Sequence, residues 1–478
     1  MKGARRAPAV AVIIVLLVAA WVADGHIARP KPRVSKQVEA PIGARASAKS
    51  SAWFCAGATA SQDGAANGTV VIANAAQKPL TGRMTVVPST GDPKTINVLV
   101  GPLGRTPYRL TDVVTAPYAS ALVELDGGQA VVELVGTGPL GETDTPCASG
   151  ASTNWYFAEG VTTKDAAEVI TLFNPFPEDA VVDLVFDTEE GEVTPQALTG
   201  LSVKGRGMAA INLGDFVQRR EQVTASITAR AGRLVAARLQ TFDGTDTRKG
   251  VSLGLGAAAP GNVWYFPEGY LVDGLTERYQ VFNPGDAEAR VQLELSLEQG
   301  QAEPIPLTVP PQSRVTVTAN DEARIPKSVP HAVTIRSLNG VPIVAERTID
   351  ATTPSPRAGV AITMGARLSA VTWVVAAGQV DDTTDQWLVV QNPGAQPARV
   401  SVSVLDEGHT IDPPALQGIQ VAANDRTGVK LNDSVRKGSA ALVVTSDRPV
   451  VIERDYYKNK GLGTAMAAAI PLRPETGS

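Results

Sequence analysis

Two carboxylates in a recurring motif are the first candidates for chemistry. They are Glu159 in Trp155-Tyr156-Phe157-Ala158-Glu159-Gly160 and Glu268 in Trp264-Tyr265-Phe266-Pro267-Glu268-Gly269. Paired carboxylates hydrolyse glycosides when they face each other across roughly 5–10 Å. These two occupy equivalent places 109 residues apart, so they are expected about a domain length apart rather than around one bond. The three histidines, His26, His331 and His409, have no neighbour at metal-ligand spacing. Asp381-Asp382-Thr383-Thr384-Asp385 offers oxygens suited to calcium, but the spacing is not that of an EF-hand and a solvated loop is the better reading. No Walker-type glycine loop is present. The expectation is a chain with no catalytic residues, no metal and no cofactor.

What the motif does mark is a repeat. Weaker copies stand at Trp373-Val374-Val375-Ala376-Ala377-Gly378 and at Trp53-Phe54-Cys55-Ala56-Gly57, the latter one residue short. A second marker keeps step: Asn74-Ala75, Asn174-Pro175, Asn283-Pro284 and Asn392-Pro393. A third, Arg238, Arg347 and Arg454, closes the later copies. Three markers in register predict four tandem copies of one domain, at 51–150, 151–260, 261–370 and 371–472, followed by a tail at 473–478.

Inside each copy apolar and polar residues alternate, as in Val291-Gln292-Leu293-Glu294-Leu295-Ser296-Leu297. Period two is the signature of a half-buried strand. Turn residues recur every ~8–12 positions, the spacing of a β-sandwich. Asp126-Gly127-Gly128, Arg230-Ala231-Gly232, Asn339-Gly340 and Ser446-Asp447-Arg448-Pro449 are expected as hairpin turns, where glycine and asparagine accept positive φ. The predicted fold class is all-β: four immunoglobulin-like sandwiches after one N-terminal signal-anchor helix.

That helix is read from Pro8 to Ala23, an apolar run of 16 residues behind Lys2, Arg5 and Arg6. It is short for a membrane span and long for a signal-peptide core. Neither Ala23 nor Val22 makes a good cleavage site, so residues 1–23 are expected to stay as an anchor, with secretion after cleavage as the alternative. Residues 24–50, rich in Pro, Ala, Ser, Lys and Arg, read as a flexible basic stalk. Either way 24–478 is expected outside the cytoplasmic membrane. The whole chain is formally −5; residues 1–23 and 24–50 are net +3 and +4, leaving −12 on 51–478. An acidic body argues against nucleic acid as a partner.

Cys55 and Cys147 are the only cysteines. A matched pair in an exported chain is expected to be a disulfide tying the first and last strands of the first domain. Units two and three keep both the motif Glu and the later Arg, whereas unit one lacks both. Pairs Glu159–Arg238 and Glu268–Arg347 across one end of each sandwich are therefore expected, with solvent-facing carboxylates as the alternative.

The Trp-Tyr-Phe-Ala-Glu-Gly string, with Phe173-Asn174-Pro175 following it, resembles repeats of an actinobacterial membrane-anchored family of unknown function. The resemblance covers the whole chain and implies an envelope protein, with no activity to carry over. The functional expectation is a non-enzymatic tethered array that binds an envelope protein or cell-wall glycan. A purely structural spacer is the alternative, and an exported hydrolase the weakest reading.

Overall fold

The computed structural model describes residues 40–298 and 302–475. It is all-β, 59% strand, and no helix among the described residues reaches seven residues. The expected anchor at 8–23 lies outside the described residues. Within them no helix is long and apolar enough to cross a membrane.

The second quarter shows the plan. Gly207–Asn212, Ala166–Asn174, Val235–Asp243 and Lys249–Leu255 form one sheet in that order. Gly191–Val193, Ala180–Thr188, Val223–Ala231 and Asn154–Phe157 form the other. The third quarter has the same arrangement, from Val263–Phe266 to Gly359–Met364. Alternate residues of both sheets bury one core, in the second quarter Trp155, Ile170, Leu172, Leu184 and Ile227 among others. In the first quarter Ser51–Ala60 also pairs Asn67–Asn74 at a single register point, Thr59 with Asn67, which joins its two sheets.

The asparagines that recur in register brace a turn. Asn174 accepts from Phe176 N–H at 3.1 Å and donates to the carbonyls of Glu178 and Val203. Asn74, Asn283 and Asn392 do the same in their quarters. One amide thus satisfies three backbone groups inside the fold, which no apolar side chain could do. Pro175, Pro284 and Pro393 follow because that turn position needs no N–H donor.

The expected hairpins near the end of each quarter are not hairpins. Val223–Ala231 and Val235–Asp243 lie in different sheets, so Arg230-Ala231-Gly232 carries the chain across the core from one sheet to the other. The same holds at Asn339-Gly340 and Asp126-Gly127-Gly128. In the fourth quarter one strand, Ala441–Lys458, passes through both sheets without a break. Local turn chemistry is identical for both geometries; only packing chooses between them.

Nor do the quarters form a linear array. The closing strands Gly141–Pro146, Lys249–Leu255, Gly359–Met364 and Thr464–Ala468 pack side by side, each on the next, and the last on the first. Hydroxyls stitch them together: Leu253 N–H donates to Thr143 Oγ1 at 2.9 Å, Ile362 N–H to Ser252 Oγ at 2.9 Å, and Thr363 Oγ1 to Met466 O at 3.3 Å. The four quarters close into a ring around these strands, and the described residues all fall in one compact unit.

Residues 40–50 correct the stalk reading. Gly43 N–H donates to Pro471 O at 2.8 Å, Arg473 N–H donates back to Gly43 O at 3.0 Å, and Gln129 N–H donates to Ala44 O. Ser47 holds Glu475 through both its N–H and its hydroxyl. This segment is a clasp over the seam between first and fourth quarters, and part of the expected tail is its counterpart.

Candidate functional site

Three of the four seams of the ring concentrate the buried charge, and one local rule builds them. The penultimate strand of a quarter carries Glu then Arg in sequence: Glu346-Arg347 and Glu453-Arg454. Successive strand residues point to opposite sides, so the two face different neighbours. Arg238 of the second quarter grips Glu346 of the third through two bonds, 2.8 and 3.0 Å, with both side chains almost fully buried. Glu346 Oε2 also accepts from Ala158 and Glu159 N–H at 2.8 and 2.7 Å. The motif returns the contact: Glu159 pairs Arg314 of the third quarter at 2.7 Å. Burial pushes the Glu159 carboxyl up, opposed by Arg314 and Arg238.

The next seam copies this set, with Arg347 on Glu453 and Glu268 on Arg426. The third aromatic of each motif has its reason here, since Phe157 and Phe266 lie under Arg238 and Arg347. At the closing seam Glu133 of the first quarter accepts from Ala376 and Ala377 N–H at 2.9 and 2.8 Å, and Arg454 pairs with Asp144. Burial raises the Glu133 carboxyl, against the pull of Arg454 and those two amides. The seam between first and second quarters has apolar residues at the places of these charges, and hydroxyls such as Thr143 and Thr145 supply its polar bonds. Leu134, Ala237 and Met208 stand where the others have Arg, Glu and Arg. Gly57 stands where the motif has Glu, at φ +99°, and a Cβ there would meet the Leu253 side chain at 2.8 Å.

The expected pairs Glu159–Arg238 and Glu268–Arg347 are therefore corrected. Each Arg meets only the backbone carbonyl of its own motif Glu; the carboxylate partners belong to the following quarter. What sequence reading missed, Glu133, Arg314, Glu346, Arg426 and Glu453, carried one readable signal: Glu directly before Arg in two copies. The motif tryptophans are core residues. Trp155 and Trp264 donate to Leu234 O and Ile343 O at 2.9 Å, Trp373 to Val450 O at 3.1 Å, and Trp53 is equally buried.

Cys55 and Cys147 are bonded, joining the opening strand to the residue after Gly141–Pro146. His331 is buried beside Glu277, 3.3 Å away, which Tyr279 also holds. His409 lies exposed near Asp406, and His26 falls outside the described residues. In the acidic stretch Asp381 accepts from Thr383, while Asp382 and Asp385 pair with Lys437 and Lys430. Among the described residues no His, Cys, Asp and Glu group is arranged to hold a metal. A Gly-x-Ser-x-Gly spacing does occur at Gly250–Gly254. Its serine lies within a strand, with Oγ between Ile362 N and O, not on the exposed strand-to-helix turn a nucleophile needs. Glu168 is fully buried, and burial holds its pKa up at about 8 against the pull of Arg238.

The ring encloses an apolar space of about 90 Å³ between the closing strands, reached by Ala40 and Pro41. Two seams also leave clefts, about 460 Å³ between second and third quarters and about 880 Å³ between fourth and first.

The sequence model of a family of unknown function (DUF5719) matches residues 140–345 and again 245–472. The chain belongs to that family. The two matches start 105 residues apart, close to the spacing of the motifs, and each spans about two quarters of this DUF5719 protein. No curated protein matches. Among solved structures it is similar to Thermotoga maritima 1070, at 21% identity over 22% of this chain and 94% of that one, with a TM-score of 0.21. It is also similar to the Anabaena sensory rhodopsin transducer, at 30% identity over 18% and 94%, TM-score 0.16. A tetra-tandem repeat from the extending region of a large adhesion protein matches at 12% identity over 90% and 100%, TM-score 0.10. At such TM-scores these likenesses carry no argument about this chain.

Proposed function

We propose that this DUF5719 protein is a non-enzymatic platform of the bacterial cell envelope, tethered by residues 8–23 and exported from residue 24 onward. Its four quarters are immunoglobulin-like sandwiches with boundaries near 150, 260 and 370, locked into a ring that presents seam clefts to a partner. The observation that carries this reading over a spacer is that the two ends of the body meet. Ser47 bonds Glu475, and Gly43 bonds Pro471 and Arg473. A spacer gains length from keeping its ends apart; a ring gains rigidity and seams instead. The buried Cys55–Cys147 bond supports export, since oxidising compartments preserve disulfides. Against a hydrolase, both motif carboxylates are spent on arginines of neighbouring quarters.

Surface biotinylation and protease treatment of intact cells test the placement, and crosslinking in the same cells tests the platform role. The expected result is labelling of the body from outside and capture of a discrete envelope component. A body protected in intact cells and recovered in the cytosol with free thiols would overturn the reading.

A further inference from the structure

The seam between fourth and first quarters is built by the same rule as its neighbours, with one side chain missing. In the second and third motifs Glu159 and Glu268 hand a carboxylate to Arg314 and Arg426 of the following quarter. The strand register puts Arg105 where those arginines stand. Arg314 lies opposite Phe282, Arg426 opposite Gln391 and Arg105 opposite Ala73, each one residue before the turn asparagine. The fourth motif meets it with Ala377. Its backbone is held as in the second, because Glu133 accepts from the N–H groups of Ala376 and Ala377 as Glu346 does from those of Ala158 and Glu159. A methyl therefore stands where the other motifs have a carboxylate arm. The cleft beside it measures about 880 Å³, against about 460 Å³ at the seam that keeps Glu159.

A donor and an acceptor flank that place, and both line the cleft. Arg105 Nη1 donates to the carbonyls of Ala376 and Gly378 at 3.2 and 2.7 Å. Arg314 meets its motif in the same way, donating to Ala158 O at 3.1 Å, and adds the Glu159 carboxylate at 2.7 Å. Gln386 is 1% exposed, and its Oε1 has no hydrogen-bond partner among the described residues. That oxygen lies 3.3 Å from where a Cβ on Gly378 would be. A buried amide oxygen of this kind costs stability unless something donates to it. The acids of the cleft stand elsewhere. Asp144 and Glu142 lie opposite Val135 and Thr137, three strands across from Arg105 and ~13 Å or more along the sheet. There Arg454 and the Tyr456 hydroxyl hold them. Asp112 is exposed, and Glu133 is engaged by the two motif amides. Burial pulls the Arg105 guanidinium below the ordinary arginine value, and Glu133 only partly restores it.

We propose that the cleft between the fourth and first quarters binds an acidic peptide segment, whose carboxylate takes the place of the missing motif Glu against Arg105 and whose N–H donates to Gln386. An arginine fork suits a carboxylate, and an acidic residue in a peptide carries the carboxylate and the N–H a few bonds apart. The proposal rests on the platform reading, which gives the body a partner to dock.

The test uses the full chain, purified in detergent. Calorimetry and saturation-transfer NMR would be run with the peptide acetyl-Ala-Ala-Glu-Ala-amide, with its Gln counterpart, and with glutarate, which has carboxylates but no N–H. The Glu peptide is expected to bind with Kd below ~1 mM, and about tenfold or more tighter than the other two. Arg105→Met and Gln386→Leu should each weaken it about tenfold. Ala377→Glu supplies the carboxylate from within the chain, so it should abolish peptide binding. It should also melt about 2 °C or more above Ala377→Gln, which fills the same space without charge; this comparison holds even if Arg105→Met fails to fold. No binding of the Glu peptide, equal binding of the Gln peptide or of glutarate, undiminished binding by either folded variant, or Ala377→Glu melting no higher than Ala377→Gln would each overturn the proposal. A failed titration with the body confirmed outside the membrane removes the peptide site alone. A cytosolic body removes the platform reading whatever the titration shows.

Discussion

Removing Arg238 or Glu346 should destabilise the ring far more when done singly than the double change implies. Arg238→Leu strands the Glu346 carboxylate among buried groups, and Glu346→Ala strands the Arg238 guanidinium, whose side chain is 0% exposed. Leaving one buried ion without its partner costs ~3–5 kcal/mol. Glu346→Ala also orphans the N–H groups of Ala158 and Glu159, at ~1–3 kcal/mol each. The double variant Arg238→Leu/Glu346→Ala recreates the Leu134–Ala237 seam that the first and second quarters already use. It keeps the orphaned amides but strands no charge. Its loss should therefore fall short of the summed single losses by about 3 kcal/mol, a coupling of the size seen for residues in direct contact. Urea unfolding followed by fluorescence of the buried tryptophans would measure it. The parallel cycle Glu159→Ala with Arg238→Leu should couple less, because Arg238 meets Glu159 through its backbone carbonyl, which the substitution leaves in place. Additive losses at Arg238 and Glu346, within ~0.5 kcal/mol, would refute the seam rule.

Glu168 makes stability depend on pH. The folded carboxyl keeps its proton up to about 8, the ordinary value being 4.5, so its contribution is whole below 4.5 and is lost as pH rises to 8, by at most ~5 kcal/mol. Arg238, Glu159 and Glu346 face it; Glu168→Gln should remove that slope and raise stability at pH 8, and an unchanged slope would assign it to another group. Thiol labelling of the native protein should be silent until reductant is added, and Cys55→Ala/Cys147→Ala should cost ~4–5 kcal/mol by chain-entropy reasoning for a loop with its ends 92 residues apart. Limited proteolysis should leave one body fragment spanning residues 40–475 rather than steps of one quarter, since every quarter is held on two sides; a ladder at ~110-residue intervals would mean the seams open. Gly43→Val should loosen the clasp, because a Cβ at Gly43 lies 2.4 Å from the Leu472 side chain, and hydrogen exchange at Pro471–Arg473 neighbours would report it.

Much of this protein is decided by local sequence. The alternation in Val291–Leu297 makes a strand in any context that buries one face. Asn174 braces its turn with atoms two to four residues away, together with one cross-strand carbonyl. The in-register Trp, Asn-Pro and Arg markers make the quarters alike, and two cysteines in one quarter make the bond. These features depend on period, on turn chemistry and on residues few enough to pair in only one way. The ring does not. Glu159 and Arg238 share a quarter and vary together, yet each finds its charge partner in the next quarter, because strand alternation sends Glu346 and Arg347 to opposite sides. Sequence reports that two charges are kept together; it does not report which copy supplies the partner when all copies are alike. The same degeneracy hid the crossing at Arg230-Ala231-Gly232, whose residues suit a hairpin as well as a passage between sheets. Only the packing of the four closing strands around one axis settles both, and with them the meeting of Gly43 with Pro471 that turns a tandem array into a closed body.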